Sequence, residues 1–200
     1  MEKATKTVAA WLTEGIFIMV SVLLGFAVTQ YGADRADRAL ASKALASLQS
    51  ELEFNLAMVE PYVDFHRAHL EQLRKTDAVA GEVSGYQLFL KLRPALPKDA
   101  LADVPLIRRA AWDAASSSGA LRLIDYDLIA HLSAIYQMQD HLGDAIARVP
   151  IASKEFFDPR DRLATIRQTE AALGEMMWAE QSLVELYKKE LPAIRAAAVK

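Results

Sequence analysis

Four histidines are the first side chains to weigh for chemistry. His66 and His69 stand three residues apart with Asp64 close by, and Asp127 and His131 stand four apart, with His141 further along. Such spacings place two ligands on one helix face, and a metal site in a helical protein needs several such faces to converge. The glutamate-x-x-histidine pattern of di-metal bundles is absent at all four histidines. The reading is therefore no metal and no cofactor, with His66 on a helix seam and the others facing water or polar groups. Ser116, Ser117 and Ser118 precede Gly119, but a nucleophilic serine of that type needs a strand-turn-helix elbow. This stretch reads instead as a helix end with Gly119 as a left-handed cap. Arg108, Arg109 and Arg122 flank Trp112, and their guanidinium forks would suit a small anion or a lipid headgroup. The plainer reading of the three is a solvated basic face. No glycine-rich phosphate loop occurs and no carboxylate pair stands out, so no catalytic residue is assigned.

Composition narrows the classes further. The 200 residues include no cysteine, which excludes disulfides, thiolate metal sites and cysteine nucleophiles together. A net charge of −3 gives no electrostatic footprint for nucleic acid. Hydrophobic residues at 52% are too many for a disordered chain, and charged residues at 24% are too many for a multi-span transporter.

The elements that must carry these residues are helices. Gly15 to Ala33 holds no charged residue, and about 19 residues at ~1.5 Å each match the hydrocarbon thickness of a bilayer. Val8 to Leu12 adds an apolar turn, and Trp11 and Tyr31 stand where interfacial aromatics belong. Residues 8–33 are thus expected to form a transmembrane helix, after a tail of residues 1–7. The alternatives are a cleaved signal peptide and a buried core helix. Glu14 lies near the boundary, where its carboxylate reaches headgroups. Ser21, Gly25 and Thr29 recur every four residues, and Gly32 extends the row. Small residues on one stripe let membrane helices approach closely.

Residues 34–80 continue as a long amphipathic helix. Leu45, Leu48, Leu52, Leu56, Val59, Val63, His66, Leu70 and Leu73 recur in steps of three or four, averaging about 3.5. Pro61 lies inside this stripe and is expected to kink it. Residues 81–104 read as a linker with a short helix, Tyr86 to Leu92, and two prolines, Pro94 and Pro97. Residues 105–200 supply the remaining helices. Pro105 is expected in the first turn of one that carries Leu106, Ile107 and Trp112. Trp112 and Gly119 would form the structural corner of the domain. Asp125 N-caps the next helix, which Pro150 ends, and Asp158, Pro159 and Asp161 open the last. Pro192 is expected to bend or fray its end, and Trp178 to face a neighbour. The fold class is all-α: one N-terminal transmembrane helix continuing into an antiparallel helical bundle.

Two stretches also carry a resemblance. Glu14-Gly15 opens the apolar helix and a long charged helix follows directly. Later come Trp112, the Ser118-Gly119 helix end, the bridge Leu121, Leu123 and Ile124, and a helix bearing Leu128, Leu132 and Tyr136. In this order of parts, over about residues 10–60 and 105–140, the chain resembles an uncharacterised family of small single-span bacterial membrane proteins, a domain of unknown function. Tyr31-Gly32-Ala33-Asp34-Arg35 departs from the asparagine-tryptophan usual there. The resemblance implies a membrane-anchored helical protein and no particular reaction.

The function expected is a membrane-anchored helical scaffold or accessory protein in a bacterial inner membrane. It would act through self-association or by binding a membrane-protein partner, with the bilayer itself as a partner and no enzyme activity. The charges flanking the span are nearly balanced, and a short N-terminal tail left in the cytoplasm puts the C-terminal domain in the periplasm. The alternative is a periplasmic small-ligand-sensing bundle that signals through a partner.

Overall fold

The computed structural model describes residues 2–77, 104–149 and 162–198. All of the regular structure in them is helical. α1 runs from Glu2 to Asp77 without interruption, 76 residues and about 114 Å at helical rise. α2 spans Ala110–Ser117, a 3-10 turn covers Ala120–Leu123, α3 spans Tyr126–Arg148 and α4 spans Arg162–Ala198. Gly32 does not break α1, and the helix continues on both sides of Pro61. The linker with its short helix, residues 81–104, lies outside the described residues apart from Val104, and so do Asp158, Pro159 and Asp161.

Cross-chain pairs fix the topology. Glu53 meets Arg195, Glu60 meets Lys188, His66 meets Glu180 and Arg74 meets Glu170, so α1 and α4 are antiparallel. Gln139 meets Tyr187 and Arg148 meets Glu175, so α3 also runs against α4 and parallel to α1. α4 packs along both neighbours, and α2 with the 3-10 turn packs against α1. Leu45, Leu48, Leu52, Val59 and Val63 on α1 are buried against Leu132, Ile135 and Leu142 on α3 and Met176, Leu183 and Ile194 on α4, and Leu70 and Leu73 are buried further along α1. The seam is turned slightly from the sequence reading. Asn55 is fully buried while Leu56 is only half-buried.

Two helix boundaries differ from expectation. Pro105, Leu106 and Ile107 are not helical, and α2 starts only at Ala110. The reason is Asn55, whose amide bonds both the N–H and the C=O of Arg108 at 2.8 Å. That double bond occupies the Arg108 backbone and delays the helix until Glu51 can receive the N–H groups of Ala111 and Trp112. At the other end, Pro192 does not fray α4, which continues to Ala198 because Leu191 and Ile194 are buried on the core.

Other local signals are realised as read. The Asp125 side chain accepts from the N–H groups of Asp127 and Leu128, and α3 ends at Arg148, before Pro150. Gly119 has φ 73° and directs the chain from α2 into the 3-10 turn. A β-carbon there would meet only ordinary contact, 3.6 Å from Arg122 Nε, so the cost of a side chain is conformational. Gly119→Ala is expected to lower stability by about 1 kcal/mol in urea unfolding, whereas Gly143→Ala, in an open helical position, should not destabilise.

Candidate functional site

Two places in the fold concentrate chemistry or surface. The first is a polar layer inside the bundle. Glu51 comes from α1 one residue before the core residue Leu52, and its burial turns it toward α2 and α3. Its carboxylate accepts from the Ala111 N–H at 2.7 Å, the Trp112 N–H at 3.4 Å and the Tyr136 hydroxyl at 2.7 Å. It thereby sits on the N-terminus of α2, where free N–H groups and the helix dipole favour an anion. Tyr187 lies in the same layer, accepting from the Gln139 amide at 2.9 Å and hydrogen-bonded to Asn55. Tyr136 and Tyr187 are almost completely buried. Burial, helped by the Glu51 carboxylate, pushes the Tyr136 phenol far above its ordinary range. Burial raises Tyr187 as well, against the opposing hydrogen bonds of Gln139 and Asn55. Both phenols are therefore neutral donors and acceptors, suited to fixing helix positions and not to proton transfer near neutrality.

The residues first weighed for chemistry are dispersed. His66 is buried and directs Nδ1 at both oxygens of Glu180, at 2.9 and 3.0 Å. His69 instead turns its Nδ1 to the Phe65 carbonyl. His131 pairs with the buried Glu190, and His141 lies 3.9 Å from Glu175 with its ring edge-on to Trp178. Among the described residues, no group of three histidines and acids is placed to hold a metal ion.

The three arginines are drawn apart too. Arg108 lies over the Phe54 ring at 3.4 Å, and Arg109 pairs with Asp113 and Asp140. Arg122 lies alongside Gly119. Trp112 is half-buried and stacks on Tyr136, with ring centroids 4.4 Å apart. Trp112 lies in α2, and Gly119 lies at the left-handed turn that follows it. At the surface, Arg195 and Gln49 hold the Glu53 carboxyl below its ordinary range by hydrogen bonding.

The second place is the outward face of α1. Its apolar segment qualifies by length and composition to cross a membrane, and none of that window is buried within the chain. Phe17, Phe26 and Val28 are each at least 70% exposed, so this segment is not a core helix of the bundle. The polar atoms inside it are internally satisfied: Ser21 Oγ donates to the Phe17 carbonyl and Thr29 Oγ1 to the Gly25 carbonyl. Among the described residues, nothing outside the local helix lies within 4 Å of a β-carbon built on Gly25 or Gly32.

The orientation of this stripe follows from the continuity of α1. At about 100° per residue, Gly25 lies roughly 140–180° around the helix from Leu48 and Leu52, and Ser21, Thr29 and Gly32 fall on the same side. The small residues therefore face away from the bundle. They continue upward along that face as Ala36, Ala39, Ala46, Ser50 and Ala57, all exposed, with Lys43 among them.

Sequence reasoning missed that continuation and the polar layer. The signal for the layer was available at Asn55, which keeps the step of the seam between Leu52 and Val59, and a signal for the partner of His66 at Glu180, which does so between Met176 and Val184. No family model, no curated protein and no solved structure matches the chain.

Proposed function

We propose that this protein is a single-pass, membrane-anchored helical scaffold of the kind its sequence resemblance implies, and that it acts by helix association and not by catalysis. The observation that carries the reading is the outward face of α1. One unbroken helix bears a fully exposed apolar segment and then the bundle, with its small residues on the side the bundle leaves free. A partner helix approaching Ser21, Gly25 and Thr29 meets no part of the folded domain, so span and stalk can pair together over several turns. Small side chains let two backbones come close in lipid, where van der Waals packing is the main attraction between helices. The most economical partner is a second copy of α1, with another membrane protein as the alternative. We further propose that the bundle lies on the periplasmic side of a bacterial inner membrane.

The test is self-association of the full chain in vesicles at varied protein-to-lipid ratio, read by energy transfer between labelled copies. Gly25→Ile, which fills the stripe, should weaken association about tenfold, because the added side chain holds the two backbones apart. Leu23→Ile, at an exposed position on the opposite side of the span, should not. A monomer at all ratios that also retains no partner on cross-linking would refute the reading. A C-terminal reporter active only in the cytoplasm would overturn the sidedness.

A further inference from the structure

Continuous helix joins the bundle to the apolar segment, so the height of the bundle above a membrane can be read along α1. The pairs Glu53–Arg195, Glu60–Lys188 and Arg74–Glu170 put Ala198, the last described residue of α4, level with about residue 50 of α1. Arg148 pairs with Glu175, which stands level with about residue 69, so Tyr126 at the start of α3 stands level with about residue 47. Yet Leu40 and Ala44 of α1 are packed against the core, as are Leu121 and Ile124. Among the described residues the 3-10 turn Ala120–Leu123 is what remains to cover them, and it packs on α1. The turn is thus the edge of the bundle nearest the apolar segment.

Leu40 stands about 10 Å of helix beyond Ala33, where the uncharged stretch ends. The headgroup layer on one side of a bilayer is about 5–8 Å deep. The turn therefore faces headgroups across a gap that long side chains bridge. Arg122 is exposed and Tyr126 is 82% exposed, while Leu121 and Ile124 beside them pack inward on the core. A guanidinium fork suits phosphate, and a phenol suits the boundary between lipid and water. We propose that Arg122 and Tyr126 make a second, off-axis contact with the bilayer, the guanidinium on lipid phosphate and the phenol among the headgroups. This seat rests on the apolar segment of α1 being a membrane anchor.

The consequence is control of how α1 stands in the membrane. Interfacial tyrosines and arginines set the tilt and rotation of a membrane helix, and a contact displaced to one side fixes both. Ser21, Gly25 and Thr29 lie on the side of α1 away from the bundle, so seating the corner on lipid leaves that face open to a partner. The neighbouring charges define the kind of contact. Arg35, Arg38, Lys43 and Arg122 are matched by Asp34, Asp37, Asp125 and Asp127, so the rim has no net charge to draw it to an anionic surface. Asp34 accepts from Gln30 and Asp125 caps α3, whereas Arg122, alongside Gly119, pairs with no acid among the described residues. The contact is with individual phosphates, and it forms on zwitterionic as well as anionic lipid.

The chain has no cysteine, so single spin labels report position directly. They are placed at Ser118→Cys beside the turn, at Ala147→Cys near the far end of α3 and at Leu24→Cys in the apolar segment, all exposed positions. The full chain is reconstituted in phosphatidylcholine vesicles, with or without phosphatidylglycerol, that carry a nickel-chelating lipid. Nickel at the headgroups should relax the Ser118 label strongly in both. It should not reach the Ala147 label, which stands about 50 Å beyond the hydrocarbon. Arg122→Glu with Tyr126→Ser changes exposed side chains only, and should abolish the relaxation at Ser118 with helicity unchanged. Collisions of dissolved oxygen with the Leu24 label check the anchor separately. A Leu24 label in water refutes the anchor, and the seat with it. A Leu24 label in lipid with Ser118 unrelaxed, or relaxation that survives the double variant, overturns the seat and leaves the anchor standing. Relaxation confined to vesicles with phosphatidylglycerol overturns the recognition of individual phosphates.

Discussion

Glu51→Leu is expected to lower the folding free energy by about 3–6 kcal/mol, the largest effect of any single substitution considered. The carboxylate is 7% exposed and receives the Ala111 and Trp112 N–H groups and the Tyr136 hydroxyl. Leucine is similar in size but leaves all three donors without an acceptor, and each buried orphan costs roughly 1–3 kcal/mol. The weaker contact, Trp112 at 3.4 Å, keeps the total below three full penalties. α2 should detach first, because those N–H groups are its first turn. Glu51→Gln retains an acceptor oxygen and should cost less than half as much. Tyr136→Phe removes one donor with the ring still stacked on Trp112, and should cost about 1 kcal/mol. Urea unfolding followed by far-ultraviolet circular dichroism measures all three. A Glu51→Leu protein within 1 kcal/mol of the parent would mean that the α2 corner does not depend on this carboxylate.

The physics behind that corner explains what could be read from the chain beforehand. Periodic apolar residues are set by helix geometry alone, so the long seam from Leu45 to Leu73 and the stripe of α3 are visible at once. Caps are equally local, which is why Asp125 and Gly119 could be assigned from their neighbours. The segment Pro105 to Arg109 could not, because what keeps it from being helical is a side chain 53 residues away. Pro105 alone favours a helix start, and only the pairing of Asn55 with the Arg108 backbone overrides it. Likewise, His66 can be placed on the seam from spacing, but its partner at position 180 depends on the register of two distant helices. The three arginines illustrate the converse. They stand close in sequence, yet the contacts they make, Arg108 over the Phe54 ring and Arg109 with Asp140, come from other helices.

The same polar layer makes a second large prediction, at alkaline pH. Tyr136 and Tyr187 have folded-state ionisation pushed above that of an exposed phenol, chiefly by burial. In the unfolded chain both phenols lose their protons near pH 10. Their contribution is therefore fully present below about pH 10 and is lost as pH rises beyond it, since the unfolded state then binds fewer protons than the folded one. Two such groups give a slope of up to ~2.7 kcal/mol per pH unit, steep enough to unfold a marginally stable bundle within two units. A spectrophotometric titration should show a late phenolate step that coincides with loss of helicity. Tyr136→Phe with Tyr187→Phe should remove that late step and flatten the alkaline limb, though the lost hydrogen bonds lower stability at neutral pH. Phenolate absorbance that develops in one smooth step with the helices intact would show that these two rings are open to hydroxide. The layer would then be no barrier to water, and the helix positions it fixes would need another cause.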